Sequence, residues 1–184
     1  NVKIMTFHKF GYEIIKKQGY NCYLGGNIGK PLIGEVENIT KNDKVILELS
    51  SFQLHTMKKS PHIAVITNLS PNHLDYHKGM EEYDCAKKNI FSHQKKGDKL
   101  IINYDNELTK NLEKEALNPV FFSRLSKIKD GFFINDGYIC YNDEKILKTD
   151  DILLPGVHNL ENYMTAIAAV WGTVSKDTIE KVAK

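Results

Sequence analysis

The spacing of apolar and polar positions divides the chain into alternating strand-like and helix-like segments. Nearly continuous apolar runs with β-branched residues, at 44–49 and 63–68, are typical of parallel strands covered on both faces. Further strands are predicted at 21–24, 100–103 and 120–123. Helices are predicted at 1–17, 31–39, 80–91 and 105–116. This order predicts an α/β fold with a mostly parallel sheet flanked by helices.

The pattern changes after residue 130. Three short alternating segments at 131–134, 138–141 and 145–148 are separated by turn residues rich in Asn, Asp and Gly. They predict a small antiparallel β appendage to the sheet. A last helical section is predicted after Pro155-Gly156, with a break near Ser175.

Composition narrows the class of protein. With 184 residues, 41% of them hydrophobic and 26% charged, the chain is expected to form one ordinary domain of a soluble protein. A net charge of +2 offers no bulk electrostatic basis for binding nucleic acid or a membrane surface. No apolar run approaches the roughly 20 residues that a transmembrane helix needs.

The cysteine pattern indicates a reducing compartment. Cys22, Cys85 and Cys140 are odd in number, far apart and outside any CxxC pair. This argues against a disulfide framework or a zinc ribbon. Since no signal peptide is recognisable either, we expect a cytoplasmic location.

Polar clusters follow three of the predicted strands, at the sheet edge where open parallel sheets bind ligands. They occupy 25–29, 48–53 and 67–75. Glu48 lies within an apolar strand. Its carboxylate is compatible with a solvent-facing or lysine-paired strand end. It is also compatible with a metal ligand or a base, because a buried unpaired carboxylate is costly.

Three ionisable residues, His73, Asp75 and His77, stand within five positions after the predicted strand 63–68. A lone loop histidine is usually solvated, and the HxDxH spacing by itself is a weak signal. No further zinc ligand is evident. A Glu and a His among oxygen-rich neighbours suit magnesium or manganese better.

Two pairs of residues on predicted helices have both a plain and a functional interpretation. Lys87 and Lys88 are adjacent, and composition alone favours a solvated lysine face. Asn159 and Asn162 are three apart at a helix start, so both amides should lie on one face. Asn159 could cap that helix, or the two amides could recognise a flat ring such as adenine. Neither GxGxxG nor GxxxxGK[ST] occurs in the chain.

Five segments share the order and spacing of a known family: GGNIGKPL (25–32), LELSSFQL (47–54), TNLSPNHLDYH (67–77), YDCAKKNIF (83–91) and LPGVHNLENYMTAIAAV (154–170). Together they resemble the Mur ligase family, and the resemblance covers essentially the whole chain. The segment 48–54 is the most specific and favours the members that add D-glutamate. The resemblance implies that 1–184 is the central, ATP-binding domain, with a P-loop or Rossmann-like fold.

The resemblance also implies a metal site and a modified lysine. Glu48 and His73 match family positions that bind the catalytic Mg²⁺ ions. Lys87 matches a lysine that is carbamylated in the family, which turns a cation into a carboxylate-like group that can help to hold a second Mg²⁺. Asn72 stands before His73 where an Asp is common, so a charge at that position is missing here.

Substrate and nucleotide contacts are implied in the same way. Asn27 and Ser50 match positions near the muramoyl substrate and the phosphates. Asn159 and Asn162 match a pair that contacts the adenine of ATP, with His158 beside them.

The implied reaction has two steps. ATP phosphorylates the carboxylate of UDP-N-acetylmuramoyl-L-alanine, and the amine of D-glutamate then attacks the acyl phosphate. Mg²⁺ neutralises the developing charge. The glycine-rich phosphate loop of the family, the strand leading to it, and the N- and C-terminal domains are expected outside 1–184. We therefore expect the 184-residue chain alone to be inactive.

Two other interpretations stay open at this level. The parent could be a ligase of the same superfamily with another amino acid or a folate as substrate. It could also be a non-catalytic module with a Mur-like fold. The sequence leaves the oligomeric state open, although an uncovered sheet edge would invite pairing between chains.

Overall fold

Parallel strands occur in both of the two units into which the chain divides, which are 1–48 with 123–184, and 49–122. The computed structural model describes residues 6–27, 29–70, 80–152, 154 and 156–184, without the side chains of 80–83.

Helices and strands alternate along the chain as the hydrophobic pattern predicts. The helices are α1 (Phe7–Lys17), α2 (Ser51–His55), α3 (Met80–Lys88), α4 (Glu107–Lys110), α5 (Val157–Val170) and α6 (Lys176–Ala183). The strands are β1 (Cys22–Gly26), β2 (Lys44–Glu48), β3 (Ile63–Ile66), β4 (Lys99–Asn103), β5 (Pro119–Ser123), β6 (Phe132–Asn135), β7 (Tyr138–Tyr141) and β8 (Glu144–Lys148). Short 3₁₀ helices occupy Leu32–Asn38, Asn111–Lys114 and Thr149–Asp151. The predicted α/β class is confirmed.

Several element boundaries differ from the predicted ones, and residues 1–5 of the predicted first helix lie outside the described residues. α1 begins at Phe7 because Thr6 caps it, with its hydroxyl accepting from the Lys9 amide at 3.3 Å. The predicted 105–116 helix is only the four-residue α4 followed by a 3₁₀ turn. The short helix α2 is absent from the sequence prediction.

In the first unit, α1 lies against β1 and β2 and also packs on α5. Phe10 and Ile14 are completely buried, and the Phe10 and Tyr163 rings are 4.0 Å apart between centroids. β1 and β2 pair in parallel. However, Val45 and Leu47 are 42% and 46% exposed, so the prediction that both faces of this strand are covered is wrong.

The antiparallel appendage is confirmed as a meander of β6, β7 and β8. Its first turn uses positive φ at Asp136 and Gly137, as the Asn-Asp-Gly sequence predicts. An aromatic cluster joins it to the segment after α5: the Phe132 ring lies 4.9 Å from Tyr141 and 6.0 Å from Trp171.

The second unit is a parallel set of β3, β4 and β5. Leu100, Ile101 and Ile102 of β4 are fully buried, as expected of a parallel strand covered on both faces. One apolar cluster joins this strand to its neighbours: Ala64, Ile66, Leu69, Phe91, Leu100, Ile102 and Leu112.

Asp98 ties together the N-terminal ends of β3 and β4. Its carboxylate accepts from the Lys95 amide at 2.7 Å and lies 2.7 Å from His62 Nδ1. The Lys95 amide and, after it, the His62 hydrogen bond lower the pKa of the Asp98 carboxyl.

This lowered pKa predicts an acid-dependent loss of stability. The unfolded chain binds the Asp98 proton at a higher pH than the folded chain does. The stabilisation is therefore present above the ordinary Asp pKa of about 3.9 and is lost as pH falls through the folded value. Asp98→Asn should flatten this part of the pH profile of the urea midpoint. Asp143→Asn, at a fully exposed side chain, should leave the slope unchanged.

Candidate functional site

Glu48, the predicted metal ligand, is the last residue of β2 and stands opposite Gly26 of β1 in the parallel register. The Asn27 amide donates to the Glu48 carbonyl at 2.7 Å. The half-buried Glu48 side chain is thus carried on a hydrogen-bonded strand end. The Asn27 side chain is exposed directly after β1.

The glycines of β1 are required by close backbone approach. Gly26 has φ of +121°, and a Cβ there would lie 2.1 Å from the Glu48 carbonyl oxygen. A Cβ on Gly25 would lie 2.4 Å from the Lys30 carbonyl oxygen. Only glycine fits both positions: Gly26 permits the close approach of β1 to β2 beside Glu48, and Gly25 permits that of Lys30 and Leu32, which follow β1.

His8 lies near the same carboxylate, which sequence reasoning missed. Burial lowers the pKa of the His8 imidazole, while the negative charge of Glu48 opposes that shift. Gly11, one turn further along α1, faces Ile46, two residues before Glu48 on the strand. Once α1 and β2 were known to pack together, their helical and strand periods could have indicated that His8 lies near Glu48.

Ser50, the predicted substrate contact, caps α2 in the second unit. Its hydroxyl accepts from the Gln53 amide at 3.4 Å, and the Gln53 side chain accepts from the Ser50 amide at 2.9 Å. This is a capping box, and the Ser-x-x-Gln spacing was the signal that could have found α2. Any substrate contact of Ser50 stays a prediction.

Lys87 and Lys88 end α3 and are both half-buried, so the solvated lysine face expected from composition is wrong here. Both line a cavity of about 190 Å³, together with Asp84, Asn111 and Glu115. Lys88 Nζ lies 2.6 Å from the Glu115 carboxylate. The cavity therefore combines the two amines with acidic and amide groups inside one unit.

His73, Asp75 and His77 lie outside the described residues. Within the described ranges, no cluster of three or more His, Cys, Asp or Glu side chains could hold a metal ion. The donor chemistry of Glu48 nevertheless suits Mg²⁺, since a carboxylate is a hard oxygen ligand.

The amides of Asn159 and Asn162 lie on the same face of α5, with Asn162 Nδ2 at 3.5 Å from Asn159 Oδ1. Gly156 is the N-cap residue of α5, so the interpretation of Asn159 as the cap is wrong. The exposed His158 folds back over Gly156, where a Cβ would lie 2.7 Å from its ring. Gly156 has φ of +105°, a conformation that favours glycine.

An ion pair that the sequence did not reveal anchors the same turn of α5. Arg124 Nε donates to the Glu161 carboxylate at 3.0 Å, and both side chains are less than a third exposed. Glu161 lies between the two asparagines. Arg124 is the sole arginine of the chain, and this was the one sequence feature that could have drawn attention to it.

Comparison with known proteins places this chain in a family. The Mur ligase middle domain matches residues 12–170. The chain belongs to the Mur ligase family. The five segments singled out in the sequence therefore belong to a Mur ligase middle domain.

Two relatives at about half identity carry the same enzyme name. The UDP-N-acetylmuramoylalanine–D-glutamate ligase of Acetivibrio thermocellus is 52% identical over 177 residues, and that of Clostridium acetobutylicum is 53% identical over 175 residues. The alignments cover 94% of this chain and 38% of each relative. The chain thus spans about two fifths of the length of these Mur ligases.

Solved structures agree on the fold. A UDP-N-acetylmuramoyl-L-alanyl-D-glutamate–2,6-diaminopimelate ligase superposes with a TM-score of 0.75 at 21% identity, covering 97% of this chain and 43% of that one. MurF of Thermotoga maritima, in complex with ADP, gives 0.63 at 16% identity, covering 94% of this chain and 45% of that one. At such identities the likeness establishes the Mur ligase fold alone.

The close approach at Gly26 predicts a sharp penalty for adding one methyl group. Gly26→Ala should destabilise the protein by on the order of 2–4 kcal/mol, because the new Cβ meets backbone and the positive φ is strained. Gly34→Ala, where a Cβ meets nothing within 4 Å, should change the free energy of unfolding by less than about 0.5 kcal/mol. Urea unfolding measures both. Equal stability of the two variants would contradict the steric argument.

Proposed function

We propose that the full-length protein is an ATP-dependent ligase of peptidoglycan synthesis, which joins D-glutamate to UDP-N-acetylmuramoyl-L-alanine through an acyl phosphate. The observation that carries this is the identity of about half of all aligned residues to D-glutamate ligases across 94% of the chain. Residues 1–184 are then the central domain of that enzyme.

The metal role is assigned to Glu48, His73 and Lys87. Glu48 supplies a carboxylate at the carboxyl end of a parallel strand, where the Asn27 amide donates to the Glu48 backbone carbonyl. Lys87 is half-buried and lines a cavity. Carbamylation would turn its side chain into a carboxylate-like oxygen donor, the second one after Glu48. Bound Mg²⁺ supplies charge neutralisation during phosphoryl transfer. The chain's own contribution is to carry the Glu48 carboxylate at the end of β2 and the Lys87 side chain at the end of α3.

The nucleotide role is assigned to Asn159, Asn162 and His158. Two amides within 3.5 Å of each other present donors and acceptors side by side, which suits the edge of adenine. The Arg124–Glu161 pair holds the same turn in place. His158 has an exposed imidazole beside them.

Substrate contacts are assigned to Asn27 and Ser50. Asn27 directly follows the Gly-Gly pair, and its exposed side-chain amide is available to a polar ligand. Within the α2 cap the Ser50 hydroxyl donates to the Gln53 side-chain oxygen and accepts from the Gln53 amide, so its remaining lone pair suits a donor such as a sugar hydroxyl.

No helix among the described residues is long and apolar enough to cross a membrane. We propose a cytoplasmic enzyme that acts on a soluble UDP-linked substrate, without nucleic acid or membrane partners.

The decisive experiment is a phosphate-release assay of the full-length protein with ATP, Mg²⁺ and UDP-N-acetylmuramoyl-L-alanine. We expect release with D-glutamate only, and a loss of at least about a hundredfold in Lys87→Ala, since an electrostatic ligand of the transition state is removed. Lys95→Ala, at an exposed surface lysine, is the matched control and should keep full activity.

Other outcomes of that assay separate the alternatives. Release with L-lysine or diaminopimelate would keep the family and overturn the substrate. No release under any condition would favour a non-catalytic module. The 184-residue chain, assayed in parallel, should be inactive.

The adenine assignment predicts a change in nucleotide preference. Asn162→Ala should raise the KM for ATP by about tenfold and reduce the preference for ATP over GTP, because one lost hydrogen bond is worth about 1–1.5 kcal/mol. Asn38→Ala, whose amide contacts Glu35 at an exposed 3₁₀ helix, should leave both unchanged. An unchanged ATP preference in Asn162→Ala would contradict the assignment.

A further inference from the structure

We propose that Arg124 is a positioning residue for the nucleotide site, because its ion pair with Glu161 fixes and neutralises a carboxylate that stands between Asn159 and Asn162. This inference rests on the proposed function, in which those two amides bind the adenine of ATP. Arg124 acts on the site through Glu161, which makes it a positioning residue and not a ligand of the nucleotide.

The start of α5 depends on contacts from outside the helix. Gly156, its N-cap residue, has no side chain to cap the free amides of the first turn. Residues 156–158 are exposed, and continuous burial of the helix begins only at Tyr163. Asn159 and Asn162 therefore lie before the fully buried part of α5. A tertiary contact at this turn has more effect on their placement than it would have further along the helix.

Glu161 has one such contact on its side chain and another on its backbone. Arg124 Nε donates to the Glu161 carboxylate at 3.0 Å. The Thr165 hydroxyl, whose residue is completely buried, donates to the Glu161 carbonyl at 2.7 Å. Two independent hydrogen bonds thus fix the residue that stands between the two asparagines.

Arg124 is itself held by the turn that follows β5. The Ser123 residue is completely buried, and its hydroxyl accepts from the Ser126 amide at 2.9 Å. Arg124 lies inside this short turn, so its backbone is fixed on both sides, and its planar guanidinium donates from a defined direction. The ion pair therefore joins a braced turn to the start of α5 within the first unit.

The residue fixed in this way is directly connected to the two amides proposed to bind adenine. Asn162 follows Glu161 in the helix, and its Nδ2 lies 3.5 Å from Asn159 Oδ1. A rotation of this turn would move both amides together, and a hydrogen bond weakens steeply as its angle worsens. Loss of the ion pair should therefore weaken nucleotide binding without removing any group that reacts.

Charge gives Arg124 a second effect on the same site. ATP is a polyanion, so a carboxylate beside its base is unfavourable unless a cation neutralises it. The Arg124 and Glu161 side chains are only 29% and 22% exposed, so solvent screens the Glu161 charge only in part. Removing Arg124 alone would leave that charge uncompensated, whereas removing both charges would not.

Arg124→Gln, Glu161→Gln and the double variant test the inference in the full-length protein with Mg²⁺ present. Isothermal titration calorimetry gives the Kd for ATP, and steady-state rates at saturating ATP give kcat. We expect the Kd to rise about five- to tenfold in Arg124→Gln, because the adenine contacts lose their orientation and meet an uncompensated charge. The Kd should rise only about two- to threefold in Glu161→Gln and in the double variant, where that charge is absent. The kcat should change little in all three.

Arg124→Lys guards the test against a general failure to fold. The lysine keeps the positive charge but not the planar fork, so its Kd should lie between those of the wild type and Arg124→Gln. Lys181→Gln is the matched control, because it removes the cation of a 2.6 Å ion pair with Asp177 on α6, in the same unit. Its Kd for ATP should equal that of the wild type.

An unchanged Kd for ATP in Arg124→Gln would overturn the inference. So would an equal rise in Lys181→Gln, because the effect would then be a general loss of stability. A double variant that binds ATP no better than Arg124→Gln would overturn it too, since the Glu161 charge would then have no effect.

Asn162→Ala separates the inference from the proposed function. If Asn162→Ala weakens ATP binding and Arg124→Gln does not, the role of Arg124 alone is wrong. If Asn162→Ala leaves the Kd unchanged, the proposed adenine contact fails, and the inference fails with it.

Discussion

A strand that stops inside a folded protein leaves backbone N–H and C=O groups that must find new partners. This constraint governs the ends of β1, β2 and β4. The Asn27 amide pairs with the Glu48 carbonyl, and Asn103 and Asn106 tie the exit of β3. Asn27, Glu48, Asn68 and Leu69, which belong to three of the five motif segments, thus lie where strands end.

Satisfying a strand end also places a side chain. The Gly26 contact lets β1 approach β2 closely enough for the Glu48 carboxylate to stand at a defined edge. In the first unit, the Phe10–Tyr163 contact packs α5 on α1, and the Arg124–Glu161 pair secures the turn that carries Asn159 and Asn162. Apolar burial gives each unit its stability, while these few polar contacts orient the groups proposed to act on ligands.

Much of the secondary structure could be predicted because it depends on short-range pattern. Nearly continuous apolar runs located β2 and β3, further strands were predicted at β4 and β5, and turn chemistry located the meander. Boundaries failed where a single cap decided them, as at Thr6, or where a helix was too short to show a period, as at α2. The metal loop around His73 stays a prediction, since its residues lie outside the described structure.

The sequence by itself determined the α/β class, the order of the elements and the identity of the candidate site residues, because local periodicity and motif order carry that information. Only the tertiary structure decided which neighbours those residues have. It placed His8 near Glu48, left the Lys87–Lys88 pair half-buried beside Glu115, and made Gly156 rather than Asn159 the helix cap. These outcomes depend on contacts between segments far apart in the chain, which no local pattern encodes.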